Sequence, residues 1–467
     1  MTLLLSDISK LLPPVDQTEY RKLNHELFKK QNHTCIIIDD DPTGNQTVYD
    51  IPLLAQWDQD TLIQEFKKQT PVFFLLTNSR SLPQAKVSII YQEISKNILV
   101  ASTMTNREYT IISRSDSTLR GHFPVETNTI KQASNLDKVI LVFIPVMFEG
   151  GRVTVNDIHY ISDKETLIPV DKTPFAQDHS FGYTKANLSE WIEEKTEGQV
   201  NASKVFSFSI ENIRTHSVQL LSKQVQALTP GSYCIVNAIN YHDLDKITHA
   251  LLLAEKSGKK ILYRTSSSFI PSYIGITPKK LLTTEDLIPK NVKSGGLIIV
   301  GSYVPKSSAQ LNYLLKYFDN NNTIEVNVEK ILNDNALSYL NVISKQIEEK
   351  LNSGKDVVLY TSRKLITGSD IDDNLNIGSK VSEALVKIIK GISVSPKYIL
   401  AKGGITSHDL AIKGLRMRRS KVMGQIAPGV PVWEMGATTM FPKLPYIVFP
   451  GNVGDDTLLY TITQKLS

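Results

Sequence analysis

Cysteine is nearly absent: Cys35 and Cys234 are the only two in 467 residues, and each sits inside an apolar run. So few thiols argue against a disulfide framework or a thiolate metal site, and fit buried thiols in a reducing compartment. Long apolar runs are missing as well, and no stretch approaches the length of a membrane span. The amino end carries no basic region with an apolar core and no cleavage site, so a cytoplasmic location is expected. Charge of one sign is scarcely in excess: 52 Lys and Arg face 47 Asp and Glu, a net charge of +5. No basic tract or aromatic–basic ribbon stands out, which argues against nucleic acid as a partner. Two nucleotide signatures are also lacking. Without Gly-x-x-x-x-Gly-Lys-Ser/Thr the chain is not a P-loop enzyme, and without Gly-x-Gly-x-x-Gly opening a helix, dinucleotide binding is not expected.

What is present is an ordinary globular composition, 41% apolar and 21% charged, in a chain long enough for two or three domains. Its organising stretch is Cys35-Ile36-Ile37-Ile38-Asp39-Asp40-Asp41-Pro42-Thr43-Gly44. The mostly β-branched run reads as a buried strand, and a Pro-Thr-Gly turn follows three consecutive carboxylates. Carboxylates so close repel one another and call for a cation, an arginine or a shared proton. In an open α/β sheet, ligands bind at this end of the strands. A solvated acidic turn with one Asp capping a helix would also fit, although a cap needs one Asp rather than three.

Residues 1–33 read as a helical extension, with Tyr20, Leu23, Leu27 and Phe28 at helical spacing. Beyond the acidic turn, apolar runs recur and end in polar residues. Val72–Leu76 leads into Thr77-Asn78-Ser79-Arg80, Tyr109–Ile112 into the Ser113–His122 stretch, Val139–Phe143 into Pro145 and Gly150-Gly151-Arg152, and Tyr233–Val236 into Asn237. Helix-length segments such as Asp60–Lys68 and Ser217–Ala227 lie between them. This alternation predicts a mainly parallel, doubly wound sheet over 34–270. A crossover at 271–294 would lead into a second domain, 295–467. There one device appears three times: Leu297–Val300 ends at Gly301-Ser302, Tyr398–Ala401 at Lys402-Gly403-Gly404, and Tyr446–Phe449 at Pro450-Gly451-Asn452-Val453-Gly454. Glycine after a strand lets backbone N–H groups approach a phosphate, and a following helix adds a favourable dipole.

In this order Asp40-Asp41-Pro42-Thr43-Gly44, Asp116-Ser117-Thr118-Leu119-Arg120-Gly121, Gly301-Ser302-Tyr303, Lys402-Gly403-Gly404-Ile405-Thr406 and Pro450-Gly451-Asn452-Val453-Gly454 form a set. The set resembles the four-carbon acid sugar kinase family, which includes threonate, erythronate and 3-oxo-tetronate kinases, and spans Cys35 to the carboxyl end. The resemblance implies two α/β domains, each with a mainly parallel sheet flanked by helices, and an active site in the interdomain cleft. It also implies ATP-dependent phosphorylation of a sugar-acid hydroxyl, with Mg²⁺ as companion of ATP. Asp40, Asp41, Thr43, Gly44, Asp116, Ser117, Thr118, Arg120 and Gly121 would face the sugar acid. Gly301, Ser302, Lys402, Gly403, Gly404, Ile405, Thr406, Gly451, Asn452 and Gly454 would hold ATP. Pro42 and the Pro-Gly-Asn-Val-Gly turn depart from the pattern the named kinases more often show, so the chemistry transfers more readily than the substrate.

Residue chemistry points the same way. Phosphoryl transfer needs a group to take or orient a hydroxyl proton and cations over the phosphates. Asp41 is the expected base, and Asp40 the residue that orients substrate or holds Mg²⁺ through water; no residue is assigned as a direct metal ligand. The acid's carboxylate needs a cationic partner, and Arg80, Arg114 and Arg120 all follow strands. His122 is expected to play a loop-structural role. His159, Thr173-Pro174-Phe175 and Phe181-Gly182-Tyr183 are expected to shape the pocket edge. Two other readings compete. Ile38-Asp39-Asp40-Asp41-Pro42-Thr43 also fits a haloacid-dehalogenase-like phosphatase with Asp39 as nucleophile and Asp41 as acid/base, which leaves the carboxyl-terminal half unexplained. The other is a non-catalytic sugar-acid or nucleotide sensor. A homo-oligomer is among the arrangements the sequence allows.

Overall fold

Every residue of strand β1 (Thr34–Asp39) is buried, as expected of a β-branched run covered on both faces. The computed structural model describes residues 4–136, 138–332, 336–363 and 371–467, the side chains of 371–376 excepted; the start of the helical lead-in, Met1 to Leu3, lies outside them. The chain forms two compact units, 1–48 with 56–278, and 49–55 with 279–467. The short strand β2 (Ile51–Leu54) thus belongs to the second unit.

In the first unit β3 (Val72–Leu76), β4 (Tyr109–Arg114) and β5 (Ile140–Ile144) follow. A small antiparallel sheet comes next, β6 (Arg152–Val155), β7 (Ile158–Asp163) and β8 (Thr166–Pro169). The unit is completed by β9 (Phe206–Phe208), β10 (Tyr233–Val236) and β11 (Ile261–Thr265). Its main sheet runs β3-β1-β4-β11-β5-β10-β9 with every pairing parallel. Cys35 and Cys234 lie buried and unbridged within it, as their apolar runs predict. The helix Tyr20–Gln31 buries Leu27 and Phe28, while Leu23 stays on the outside. Asn24 on that helix donates to the carbonyls of Asp245 and Ser272, which fixes the helix to this unit.

The second unit contains β12 (Leu297–Val300), β13 (Thr323–Val326), β14 (Val357–Thr361), β15 (Ile399–Lys402), β16 (Arg419–Ala427), β17 (Val430–Met435) and β18 (Pro445–Phe449). Its order is β13-β14-β12-β15-β18-β17-β16-β2. The first five strands are parallel and the remainder antiparallel. Ile298, Val300, Leu400, Ile447 and Phe449 pack on Leu311 and Leu314 of the helix Pro305–Tyr317 and on Leu459 and Ile462 of the last helix. The fold class is therefore the expected one, two α/β units built on mainly parallel sheets with flanking helices.

Candidate active site

Parallel strands deliver their carboxyl ends to one side of a sheet, so Asp39, Leu76, Arg114 and Thr265 emerge in register. The chain leaves β1 toward β3 and leaves β4 toward β5, so its connections diverge between β1 and β4, the usual ligand position of such a sheet. All three consecutive aspartates stand there, in different environments. Asp39 is wholly buried with Arg114 Nη1 at 3.2 Å. Burial pushes its carboxyl up to about 7, against the pull of Arg114 and with the repulsion of Asp40 and Asp41. Asp40, with a side chain 2% exposed, accepts from Arg80 Nη2 at 2.6 Å, Arg80 Nε at 3.2 Å and Ser115 Oγ at 2.9 Å. Asp41 is 21% exposed, accepts from the Thr43 backbone N–H at 2.7 Å and from its hydroxyl, and has Arg80 Nη1 at 3.4 Å. Burial works to raise Asp41, but Arg80, Arg114 and Thr43 together hold it below the ordinary carboxylate range. Of the three, Asp41 alone is both ionised and open.

The loop after β4 locks onto the same cluster. Asp116 meets Arg80 Nη1 at 3.4 Å and Arg120 Nε at 2.9 Å and accepts from the Thr118 hydroxyl. Burial opposes its ionisation, yet the two guanidiniums keep it well below the usual value. Gly44 is required by contact, since a Cβ there would fall 2.2 Å from Asp39 Oδ1 and 2.5 Å from Arg114 Nη1. Gly121 is required by conformation, at φ +131°, and by the Ser115 hydroxyl 2.7 Å from where its Cβ would stand.

The expected pocket-edge residues support this loop. His159 Nε2 donates to the Ser117 carbonyl at 2.8 Å, while its Nδ1 accepts from the Thr154 hydroxyl at 2.9 Å; burial pushes it down to about 4, so the ring is neutral. Tyr183 donates to the Thr118 carbonyl at 2.8 Å. Phe175 lies under the Arg120 guanidinium, and Phe181 stands edge-on to His122.

Three supports carried no motif signal: Ser115, the buried Arg264 that donates to it, and Glu126, which holds Arg264 Nε at 2.6 Å. Several buried polar atoms here lack a protein partner: Asp39 Oδ2, Arg114 Nε, Thr265 Oγ1, Ser266 Oγ, Ser267 Oγ and His122 Nε2. Such atoms are normally satisfied by water or ligand.

In the second unit the strand order brings the three glycine turns together, because β12, β15 and β18 are adjacent and parallel. A Cβ on Gly301 would lie 2.5 Å from Thr406 Oγ1, and one on Gly403 (φ +113°) 2.9 Å from Ser302 Cβ. A Cβ on Gly451 would come only into ordinary contact with Ser302 Oγ, and the Ser307 hydroxyl donates to the Gly451 carbonyl at 3.2 Å. The helix Gly404–Asp409 opens at the turn, leaving the N–H groups of Gly404, Ile405 and Thr406 without intrahelical acceptors. Arg363, which the motifs did not mark, donates to the Ser302 and Val300 carbonyls at 2.7 and 2.9 Å and braces the first turn. The Ile405 side chain is 60% exposed, and Asn452 and Gly454 are exposed on the last turn.

Four expectations change. Arg80, Arg114 and Arg120 are already paired to aspartates, Arg120 also with Asp178 at 3.5 Å, so none is a vacant carboxylate receptor. Asp40 is enclosed and orders Arg80 and Ser115 rather than facing solvent or an ion. Lys402 is fully buried with Nζ on the Pro450 and Gly451 carbonyls at 2.7 and 3.2 Å, so it ties two turns together instead of projecting at phosphate. Asp39 has no exposed atom with which to attack a phosphorus, which removes the phosphatase reading.

Comparison with known proteins agrees with this layout. Residues 35–273 match the sugar-binding N-terminal domain, and residues 297–459 the nucleotide-binding C-terminal domain. The molecule is thus a two-domain α/β protein that joins a sugar-binding to a nucleotide-binding domain. It belongs to the four-carbon acid sugar kinase family. Among solved structures, a Salmonella typhimurium LT2 protein provisionally described as a tRNA synthase aligns over 91% of this chain and 98% of its own, at 12% identity and a TM-score of 0.67. Haemophilus influenzae protein HI1011 aligns over 92% and 99%, at 15% identity and a TM-score of 0.61. Both likenesses concern the fold. Among curated proteins none matches.

Proposed function

We propose that the protein is an ATP-dependent kinase that phosphorylates a hydroxyl of a four-carbon or similarly small sugar acid. The observation that carries this reading is Asp41, an open and ionised carboxylate at the crevice of a sugar-binding domain, in a chain that also has a nucleotide-binding domain. Asp41 takes the proton of the attacking hydroxyl as its bond to phosphorus forms. Arg80 and Thr43 fix the orientation of that carboxylate, and Ser117 and Thr118 stand on the loop that meets the sugar hydroxyls. The turns at Gly301-Ser302, Gly403–Thr406 and Gly451 fit a polyphosphate, since two of them lie where a Cβ would collide with a neighbouring turn. Lys402 keeps the second and third turns in place.

Magnesium, when bound with ATP, neutralises charge on the phosphates. Among the described residues no group of three or more His, Cys, Asp or Glu forms a cage for it. An ion carried by the triphosphate would not need one.

The test is ADP release with Mg-ATP against threonate, erythronate and their 3-oxo forms. ADP release that depends on one acid supports the reading and names the substrate. Silence across the panel with retained ATP binding removes it in favour of a sensor.

A further inference from the structure

Each arginine expected to receive an acid's carboxylate is occupied. Arg80 faces Asp40, Asp41 and Asp116; Arg114 faces Asp39 and Asp40; Arg120 faces Asp116 and Asp178. An anion entering between β1 and β4 therefore meets at least as many carboxylates as guanidiniums, and repulsion opposes it. A further cation is needed, and the first unit supplies one from outside the motifs.

Arg152 begins β6, just after the turn that follows β5. Its backbone N–H donates to Met147 O at 2.9 Å and its carbonyl accepts from Met147 N at 3.0 Å, which fixes where the side chain starts. Met147 in turn accepts from Gln46 Nε2 at 3.5 Å, in the segment just past the aspartates. Alternate residues of a strand share a face, so Arg152 lies on the same face of β6 as Thr154. Thr154 meets His159, and His159 holds the Ser117 carbonyl, so this face is the one turned to the Asp116–Gly121 loop. Asp116 and Arg120 both act electrostatically on the Arg152 guanidinium.

Among the described residues Arg152 has no ion-pair partner. Nη1 donates to the Gly150 carbonyl, and Nε is buried with no acceptor. Arginine does not relieve burial by losing its proton, so a guanidinium in this position needs an anion from elsewhere.

We propose that Arg152 is the receptor for the substrate's carboxylate and sets a preference for sugar acids over neutral polyols, while Arg80, Arg114 and Arg120 order the aspartates. The choice of a sugar acid as the anion rests on the kinase reading; the vacancy of the guanidinium does not.

The test is equilibrium binding by calorimetry, without nucleotide, of threonate, erythronate and their 3-oxo forms and of the neutral tetritols threitol and erythritol. Wild-type protein is compared with Arg152→Gln and Arg152→Lys. Arg152→Gln is expected to lose about 10–100-fold in affinity for the acid, with tetritol affinity unchanged. Arg152→Lys, which keeps the charge without the planar fork, recovers part of the loss. Equal acid affinity in wild type and Arg152→Gln overturns the proposal, as does a parallel loss of acid and tetritol, or a wild type that binds no acid. ADP release by the wild type reports separately on the kinase reading. Acid binding that depends on Arg152 without turnover leaves the receptor and removes the kinase; turnover with an unchanged acid KM in Arg152→Gln does the reverse.

Discussion

Arg80 grips Asp40 through two nitrogens, Nη2 at 2.6 Å and Nε at 3.2 Å, and turns its remaining nitrogen to Asp41 and Asp116. One guanidinium thus ties together carboxylates from the β1 and β4 loops. Arg80→Gln is expected to cost about 3 kcal/mol of stability, because Asp40 is left buried with half its partners gone. Urea unfolding at neutral pH measures it; an unchanged midpoint would show that Arg114 and Ser115 suffice.

Asp41→Asn keeps the size of the side chain and its contact with Thr43 but cannot take a proton. Turnover is expected to fall by about 10²–10⁴ with the KM for ATP unchanged. Steady-state ADP release decides this, and undiminished turnover removes Asp41 from the base role.

Gly403→Val places a Cβ into Ser302 from a backbone at φ +113°, which β-branched residues avoid. Nucleotide affinity is expected to drop by roughly tenfold or more, since about 1.4 kcal/mol of misfit at the turn suffices for one decade. Acid-sugar binding to the first unit stays as it was. Titration of each ligand separately checks both halves, and an unaltered nucleotide affinity takes this turn out of the site.

Burial pushes the Asp39 carboxyl up to about 7 in the folded chain, from an ordinary value of 3.8 in the unfolded one. In that window the folded chain binds more protons than the unfolded chain, so stability falls as pH rises from about 4 to 7. The contribution is whole below the unfolded pKa and lost above the folded one. Asp39→Asn removes the titration, so its stability relative to wild type is expected to improve as pH rises through the window. Unfolding measured at pH 4 and pH 8 tests the sign, and a constant difference between the two proteins contradicts it.

Much of the fold was legible because buried strands are short apolar runs: Val72–Leu76, Tyr233–Val236 and Leu297–Val300 match the observed strands residue for residue. The glycine turns were legible because close approach and positive φ leave few alternatives to glycine. Pairing was not. Nothing within Ile51–Leu54 reveals that it pairs with Arg419–Val422, since a partner so distant leaves no local periodicity. For the same reason Arg114 and Arg120 read as vacant when Asp39 and Asp178 occupy them, and Lys402 read as a phosphate ligand when two carbonyls enclose it. Arg152 stood in plain view after Gly150-Gly151, but only the three-stranded sheet turns its face to the Asp116 loop.

The placement of β2 bears on how the molecule is made. Ile51–Leu54 leaves the ribosome long before the β16 strand that it joins. A fragment expressed from the crossover onward would lack β2 and present β16 as a bare, sticky edge, the kind that drives aggregation. The second unit can finish its sheet only once β16 and its neighbours have been translated, so the passing of the crossover does not complete this half.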